Sequence, residues 1–390
     1  MFSFNQNIEN LQPSKSMTFM VKARKLQAVD PDVINLSGGE PDFDTPVRIR
    51  EEAKRWLDKG YTHYTIGPGL PELREGIAKK LKEENSCNYS PDEVIVTPGG
   101  KYAIYLSVRS VVNTGDEVMY LEPGWVSYPS IIEASGAVPV PVRLSFADNF
   151  RLTAEKLEAF VTPKTKLLII NYPNNPTGRA LNRQEADEVE AFMLKHPDIL
   201  LLSDEMYERI VFTGYENISP ASYASIADRV ITVNGFSKSV AMTGWRIGYL
   251  AAPKAVRDVI YKIYQHTISC VSGFIMKAAT VALECRDEIE EMRKSYEHRR
   301  DLFIGALNAI DGVEATYPEG AFYAWVKFDV PGMDSEAVCE LVLNQAKVVG
   351  VPGGAYGTDE CCLRFSFATE ESELVKAAAR IKTLMESIRK

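Results

Sequence analysis

Four short apolar runs, Glu93 to Thr97, Lys166 to Asn171, Ile199 to Ser203 and Arg229 to Val233, lie between longer segments of helical period. This alternation constrains the chain more than any other feature. Strands covered on both faces read as near-continuous apolar runs, and parallel neighbours need a long crossover between them. The pattern therefore predicts an α/β fold with a mostly parallel sheet. Asn182, with Glu185 three residues later, predicts a capped helix running to about Lys195 that returns the chain to the next strand, a βαβ unit. Further on, Arg286 to Ala309 reads as one long charged helix, Gly320 to Val326 as a strand and Asp334 to Lys347 as a helix, which predicts a second, α+β layer. No internal repeat or low-complexity linker interrupts this order.

The 390 residues suffice for two domains with real cores, and 45% hydrophobic with 25% charged content is ordinary for a globular chain. A net charge of -9 without a clustered basic stretch argues against a nucleic-acid partner. No run approaches a membrane-spanning length, and the opening residues lack a basic region followed by an apolar one, so cytoplasmic residence is expected. The 6 cysteines form no CxxC and, apart from Cys361-Cys362, are scattered; the 4 histidines never pair at metal-ligand spacing. Neither a disulfide framework nor a metal site is expected.

Chemistry gathers where the apolar runs end. Lys238 follows the strand that breaks at Gly235, and a lysine at a strand's carboxyl end can use its amine covalently, as a Schiff base. A lone lysine reads first as a solvated charge, so its neighbours decide. Arg246, eight residues on, can hold an anionic group. Gly99-Gly100 lies between a strand and a helical segment from Lys101 to Val111, where exposed amides can bind phosphate. The turn Asn171 to Gly178, fixed by two prolines and a glycine, presents Asn175, whose amide can donate to an oxyanion. Asp204 ends a third run. Facing a heteroaromatic nitrogen at ~4 Å and an effective dielectric of ~20, it would contribute roughly 4 kcal/mol, about three pKa units. The competing reading of Asp204 is a helix N-cap.

Together, Asn174-Asn175-Pro176-Thr177-Gly178, Asp204-Glu205-Met206-Tyr207, Ser237-Lys238 and Met242 to Gly248 resemble the class I aminotransferases of the fold-type I pyridoxal-phosphate enzymes. The likeness extends from Leu36 to Phe43, through Tyr64 and Leu70 to Arg74, to Leu363-Arg364-Phe365-Ser366 near the end. It implies a homodimer with shared active sites, a large α/β domain over 45-285 and a small domain from 1-44 and 286-390. By resemblance, Lys238 is the Schiff-base lysine and proton shuttle. Asp204 is the partner of the ring nitrogen, Tyr207 and Asn175 the donors to the cofactor's O3′, and Trp125 the aromatic stacked on the ring. Arg246, Gly99, Gly100, Lys101 and Ser237 form the phosphate cradle, which Tyr64 reaches from the neighbouring subunit. Arg364 is the fork for the substrate α-carboxylate, assisted by Asn175, Trp125 and Gly39.

Three features depart from the pattern, one of them the lack of a motif matching the partner-subunit arginine that some aspartate aminotransferases aim at the substrate's distal carboxylate. Gly235 stands where many relatives have a phosphate-binding serine, and Lys101 where others have a threonine. In the aspartate aminotransferase-like branch, a lysine after Gly-Gly and the hydroxyls of a Pro-Ser-x-Ser/Thr segment read the distal carboxylate, which Lys101, Ser14 and Ser16 match. The expected activity is transfer of an amino group from an L-amino acid, aspartate first, to a 2-oxo acid, 2-oxoglutarate first. The alternatives are an aminotransferase for aromatic or neutral donors, a β-lyase of the same fold, and a cofactor-binding regulatory module. The last carries an extra N-terminal domain, for which no room is expected before the resemblance begins near Leu11.

Overall fold

The computed structural model describes residues 2–13 and 15–389. Its larger sheet has seven strands: β1 (Val94–Thr97), β2 (Glu117–Glu122), β3 (Val138–Arg143), β4 (Thr165–Asn171), β5 (Leu200–Asp204), β6 (Val230–Gly235) and β7 (Gly248–Ala251). The order is β1-β7-β6-β5-β4-β2-β3. Only β7 runs against its neighbours. Strands β1, β6 and β7 are buried at every position, as the unbroken apolar runs require of a sheet covered on both faces. The carboxyl ends of β1, β2, β4, β5 and β6 thus share one edge of the sheet, and the reversed β7 begins there. Open α/β sheets bind ligands at this edge.

The helix returning from β4 to β5, Arg183–Lys195, is capped as predicted, with Asn182 accepting from the Glu185 amide at 2.9 Å. The reciprocal half of the capping box is absent. The Glu185 carboxylate is drawn away by Arg179, at 2.8 and 2.9 Å, and by the Leu152 amide at 3.1 Å.

Gly235 closes β6 rather than breaking it. It pairs with Gly248 of β7, and a Cβ on Gly235 would lie 2.9 Å from the Gly248 Cα. A Cβ on Gly248 would in turn lie 2.7 Å from the Gly100 nitrogen. Bare backbones let β6, β7 and the Gly100–Val111 helix converge under the site, which is one use of glycine inside a strand.

The second layer is a four-stranded antiparallel sheet of β8 (Val313–Ala315), β9 (Tyr323–Phe328), β10 (Val351–Pro352) and β11 (Cys362–Ser366), ordered β10-β11-β9-β8. The helices Arg286–Asn308 and Glu371–Ile388 bury Tyr296, Phe303, Leu374 and Ile381 in one core with this sheet. Ile34–Asn35 pairs in parallel with Val348–Val349, and the Ser366 amide donates to Leu36 at 2.7 Å, so the chain near residue 37 runs beside β11.

Two predicted elements have other bounds than the sequence suggests: the strand is displaced to Tyr323–Phe328, and the helix is shortened. Gly320 and Ala321 lie outside β9 because their amides donate to Gly178 and Ile210 of the other layer, at 2.9 and 2.8 Å. The helix predicted from Asp334 to Lys347 runs over Ser335–Leu341 with Asp334 as its cap, then widens into a π-helical turn, Val342–Ala346.

Candidate active site

A cavity of about 360 Å³ opens at the shared edge, between the large sheet and β11. Each strand end delivers a group to it. Beyond β6, Lys238 turns its amine inward and donates from Nζ to the Gly39 carbonyl. Loss of surrounding water pushes its pKa down to about 8; Glu40 opposes that shift, and Arg364 and Arg246 add to it.

At the end of β5, Asp204 is buried, and exclusion of water pushes its pKa up to about 6. The Tyr128 hydroxyl donates to its Oδ2 at 2.6 Å, and the Met206 amide to its Oδ1 at 3.3 Å. The N-cap reading survives only as this tight turn, since no helix follows. A buried carboxylate with two neutral donors and no contacting cation is matched to a cationic ring nitrogen.

The turn after β4 is held from within. Asn171 donates to the Asp204 carbonyl at 2.9 Å and accepts from the Asn175 amide at 2.9 Å. Asn175 Oδ1 accepts from Arg364 at 3.1 Å, which leaves its amide hydrogens for a ligand. Arg364, 4% exposed on β11, also donates to the Ser37 carbonyl at 2.7 Å and lies over the Tyr323 ring at 4.4 Å. Its Nε is buried without a hydrogen-bond partner. A fixed guanidinium with an unused donor beside the cavity is suited to an incoming carboxylate. The Tyr207 hydroxyl lies 2.8 Å from that of Tyr323.

Another group of residues at the cavity suits a phosphate. Gly99, at φ +84°, turns β1 into the Gly100–Val111 helix, whose first amides lack intrahelical acceptors. A Cβ on Gly99 would lie 2.8 Å from Arg246 Nη2. Arg246 is itself held at φ +54°, a conformation that costs a non-glycine residue about 1–2 kcal/mol, and donates to the Thr243 carbonyl at 3.0 Å. Ser237 is buried at the same cavity. The Lys101 ammonium lies 5.1 Å over the Trp125 ring, and desolvation followed by Arg246 lowers its pKa. Trp125 meets Tyr128 edge to face at 5.3 Å.

Of the residues singled out from the sequence, Gly39, Gly100, Lys101, Trp125, Asn175, Asp204, Tyr207, Ser237, Lys238, Arg246 and Arg364 line this one cavity. Gly99 adjoins it through Arg246. Tyr64 does not reach it within this chain and is 92% exposed. Ser14 and the Ser16 side chain lie outside the described residues. The sequence reading missed Arg24, Glu40, Asn171, Tyr323 and Tyr356, which also line the cavity, and Tyr128 behind it. Asn171 and Glu40 stood inside stretches already singled out, and Tyr128 lies three residues after Trp125; Arg24, Tyr323 and Tyr356 carry no local signal.

A mostly parallel α/β sheet that converges a desolvated lysine, a buried uncompensated aspartate and a helix start beside an arginine at one edge is the arrangement of a fold-type I pyridoxal-phosphate enzyme. Residues 31–381 match the family model "Aminotransferase class I and II". The chain is 40% identical to the "Probable aspartate/prephenate aminotransferase" of Aquifex aeolicus, covering 98% of each. It is 39% identical to "Aromatic-amino-acid aminotransferase 2" of Thermococcus litoralis, again covering 98% of each. The crystal structure of the aspartate aminotransferase from Rhizobium meliloti superposes with a TM-score of 0.94 at 35% identity, covering 99% of each chain. The chain belongs to the class I and II aminotransferase family and is a pyridoxal-phosphate-dependent aminotransferase.

Proposed function

We propose that the protein moves an amino group from aspartate to 2-oxoglutarate in two half-reactions through one site, by a ping-pong mechanism. The observation that carries an amino-acid substrate is the unpartnered Nε of buried Arg364, at the same cavity as the desolvated Lys238. Aspartate takes first place because aspartate stands in the names of relatives matched over 97% or more of both chains and because Lys101 adds a cation to the cavity. An aromatic donor is the second reading, favoured by the Thermococcus litoralis relative. A screen of amino donors against 2-oxo acids tests both; turnover with pyruvate and aromatic donors but none with aspartate would reverse their order.

Each residue has a distinct task. Asp204 would hold the ring nitrogen, Trp125 stack on the ring, and Asn175 and Tyr207 donate to its phenolic oxygen. Gly99, Gly100, Lys101, Ser237 and Arg246 would hold the phosphate. Bound there, pyridoxal phosphate supplies an electron sink for bonds at the substrate's α-carbon. With a pKa near 8, Lys238 can give or take a proton at Nζ near neutral pH. Arg364, with Asn175 and Gly39, would orient the α-carboxylate.

The remaining proposals concern organisation. Exposed Tyr64 fits a homodimer in which it reaches the partner's phosphate site. Residues 45-285 would form the large domain, and 1-44 with 286-390 the small one. Among the described residues no helix is long and apolar enough to cross a membrane. Cysteines that are all unpaired suit a reducing cytoplasm.

A further inference from the structure

We propose that Arg179 is a positioning residue for the amino transfer: bridging Glu185 and Glu319, it fixes the turn after β4 against the chain that enters β9, and so sets where Asn175 stands in the cavity. The proposal rests on the aminotransferase reading through the tasks given there to Asn175.

Arg179 is the first residue past the Asn171 to Gly178 turn, and its carbonyl closes that turn by accepting from the Asn174 amide at 2.7 Å. It is not among the residues that line the cavity. Its Nη2 donates to both Glu185 oxygens, at 2.9 and 2.8 Å, and its Nη1 to Glu319 Oε1. Glu319 Oε2 accepts from the Ala180 amide at 2.9 Å. All three residues are buried. One planar fork thus spans two carboxylates in a fixed geometry, which an ammonium cannot do. Loss of the guanidinium would leave both carboxylates buried and unpaired, so the three side chains are held to one arrangement.

The same two segments also meet through their backbones. The Gly178 carbonyl accepts from the Glu319 and Gly320 amides at 2.8 and 2.9 Å, and a Cβ on Gly178 would lie 2.6 Å from Pro318 Cβ. Three residues past Gly320 the chain enters β9 at Tyr323, whose ring lies 4.4 Å from the Arg364 guanidinium. Arg364 in turn donates to Asn175 Oδ1 at 3.1 Å. The turn therefore meets the second layer twice, inside the cavity through Asn175 and Arg364, and outside it through Arg179 and Glu319. Glu185, on the Arg183–Lys195 helix and bonded to the Leu152 amide at 3.1 Å, ties the outer contact to the large sheet's side. A turn held only at Asn175 could pivot about that contact; held at both, it cannot. A displacement of ~1 Å in a group that orients substrate costs about a hundredfold in rate.

The test uses the holoenzyme of the wild type, Glu319→Gln, Arg179→Lys, Asn175→Ala and the double variant Asn175→Ala with Glu319→Gln. Burial pushes the Glu319 pKa up and Arg179 opposes that shift; a glutamine keeps the shape and an oxygen for the Ala180 amide, so Glu319→Gln should fold. Three quantities are read: kcat/KM for aspartate, Kd for the unreactive propionate by calorimetry, and the pH midpoint of the bound cofactor's visible absorbance. Glu319→Gln should lower kcat/KM about ten- to a hundredfold and weaken propionate several-fold. It should also raise the midpoint by about 0.4–1 unit, because a donor to the phenolic oxygen favours its deprotonated form. Arg179→Lys, which keeps the charge and loses the fork, should shift all three in the same direction. In the Asn175→Ala background, Glu319→Gln should change the midpoint and propionate binding little further. A wild-type midpoint and propionate Kd in Glu319→Gln, with only the melting temperature lowered, would reduce the cluster to a structural ion pair and overturn the proposal. Shifts of equal size with and without Asn175 overturn it as well. A wild type that shows the cofactor absorbance but moves no amino group from any donor overturns the aminotransferase reading, while the midpoint cycle still decides the role of Arg179.

Discussion

The Tyr128 hydroxyl donates to Asp204 Oδ2 at 2.6 Å, and this is the shorter of two hydrogen bonds to a carboxylate that burial holds at a pKa of about 6. A neutral donor stabilises the charged form without neutralising it, so Asp204 stays available to a cation. Without the cofactor, that availability is a liability to the fold.

Replacing Asp204 with Asn should therefore stabilise the apoenzyme while abolishing useful turnover. Its folded pKa of about 6 lies above the ordinary 3.8 of an aspartate in water, so the folded state binds more protons between those limits. Wild-type stability from this group is lost as pH rises through that window. The advantage of Asp204→Asn should be near zero below pH 4 and reach roughly 3 kcal/mol above pH 6. Urea unfolding of both apoproteins at pH 4.5 and 7.5 checks this. Equal stabilities at the higher pH would show that Asp204 carries no buried charge.

Lys238→Ala should remove the borohydride-reducible lysine adduct with the cofactor and nearly all turnover. Burial holds the amine at about 8, where a solvated lysine lies near 10.5. The rate at which wild-type apoenzyme attaches pyridoxal phosphate should thus rise with pH and level off above about 8. A reducible adduct of unchanged yield in Lys238→Ala would place the chemistry on another amine.

Arg364→Leu should weaken amino-acid use and leave the cofactor's absorbance spectrum in place. Truncating one partner of a buried charged pair costs about 2 to 5 kcal/mol, a loss in kcat/KM of roughly 30-fold or more. Arg364 also holds Ser37 and Asn175 together across the cavity, so Arg364→Lys should recover little, because an ammonium cannot span both acceptors and a substrate. Wild-type kcat/KM for every donor in Arg364→Leu would refute the assignment.

The parallel sheet was legible because its strands are covered on both faces, which leaves unbroken apolar runs such as Leu167 to Ile170. The residues after those runs were legible for a related reason: strand ends deliver them to one edge whatever the details of the helices. Arg24, Tyr323 and Tyr356 were not legible. Tyr323 opens an antiparallel strand, and its hydroxyl finds Tyr207 only because β9 and β5 face the same cavity from different sheets. Gly235 misled for a local reason. Glycine usually weakens a strand, and only the pairing with Gly248, 13 residues later in a reversed strand, shows why it belongs inside one.

Gly99 separates a requirement of the turn from a requirement of the proposed phosphate cradle. At φ +84° an alanine costs about 1–2 kcal/mol for backbone conformation alone, and its methyl would also meet Arg246 Nη2 at 2.8 Å. Gly99→Ala should therefore lower stability by roughly that amount and displace the Arg246 guanidinium. Pyridoxal phosphate retention during dialysis should fall at least about tenfold, the value of one hydrogen bond to a charged group. Arg246→Ala alone should reduce retention by a similar factor. Because Gly99→Ala acts on retention largely through Arg246, the double variant should lose little more than either single one, a non-additivity expected of residues in contact. Stability should still show the full backbone penalty in the double variant. If the two retention losses simply multiply, Gly99 serves the cradle through its own turn and the amides beyond it, and its closeness to Arg246 is incidental.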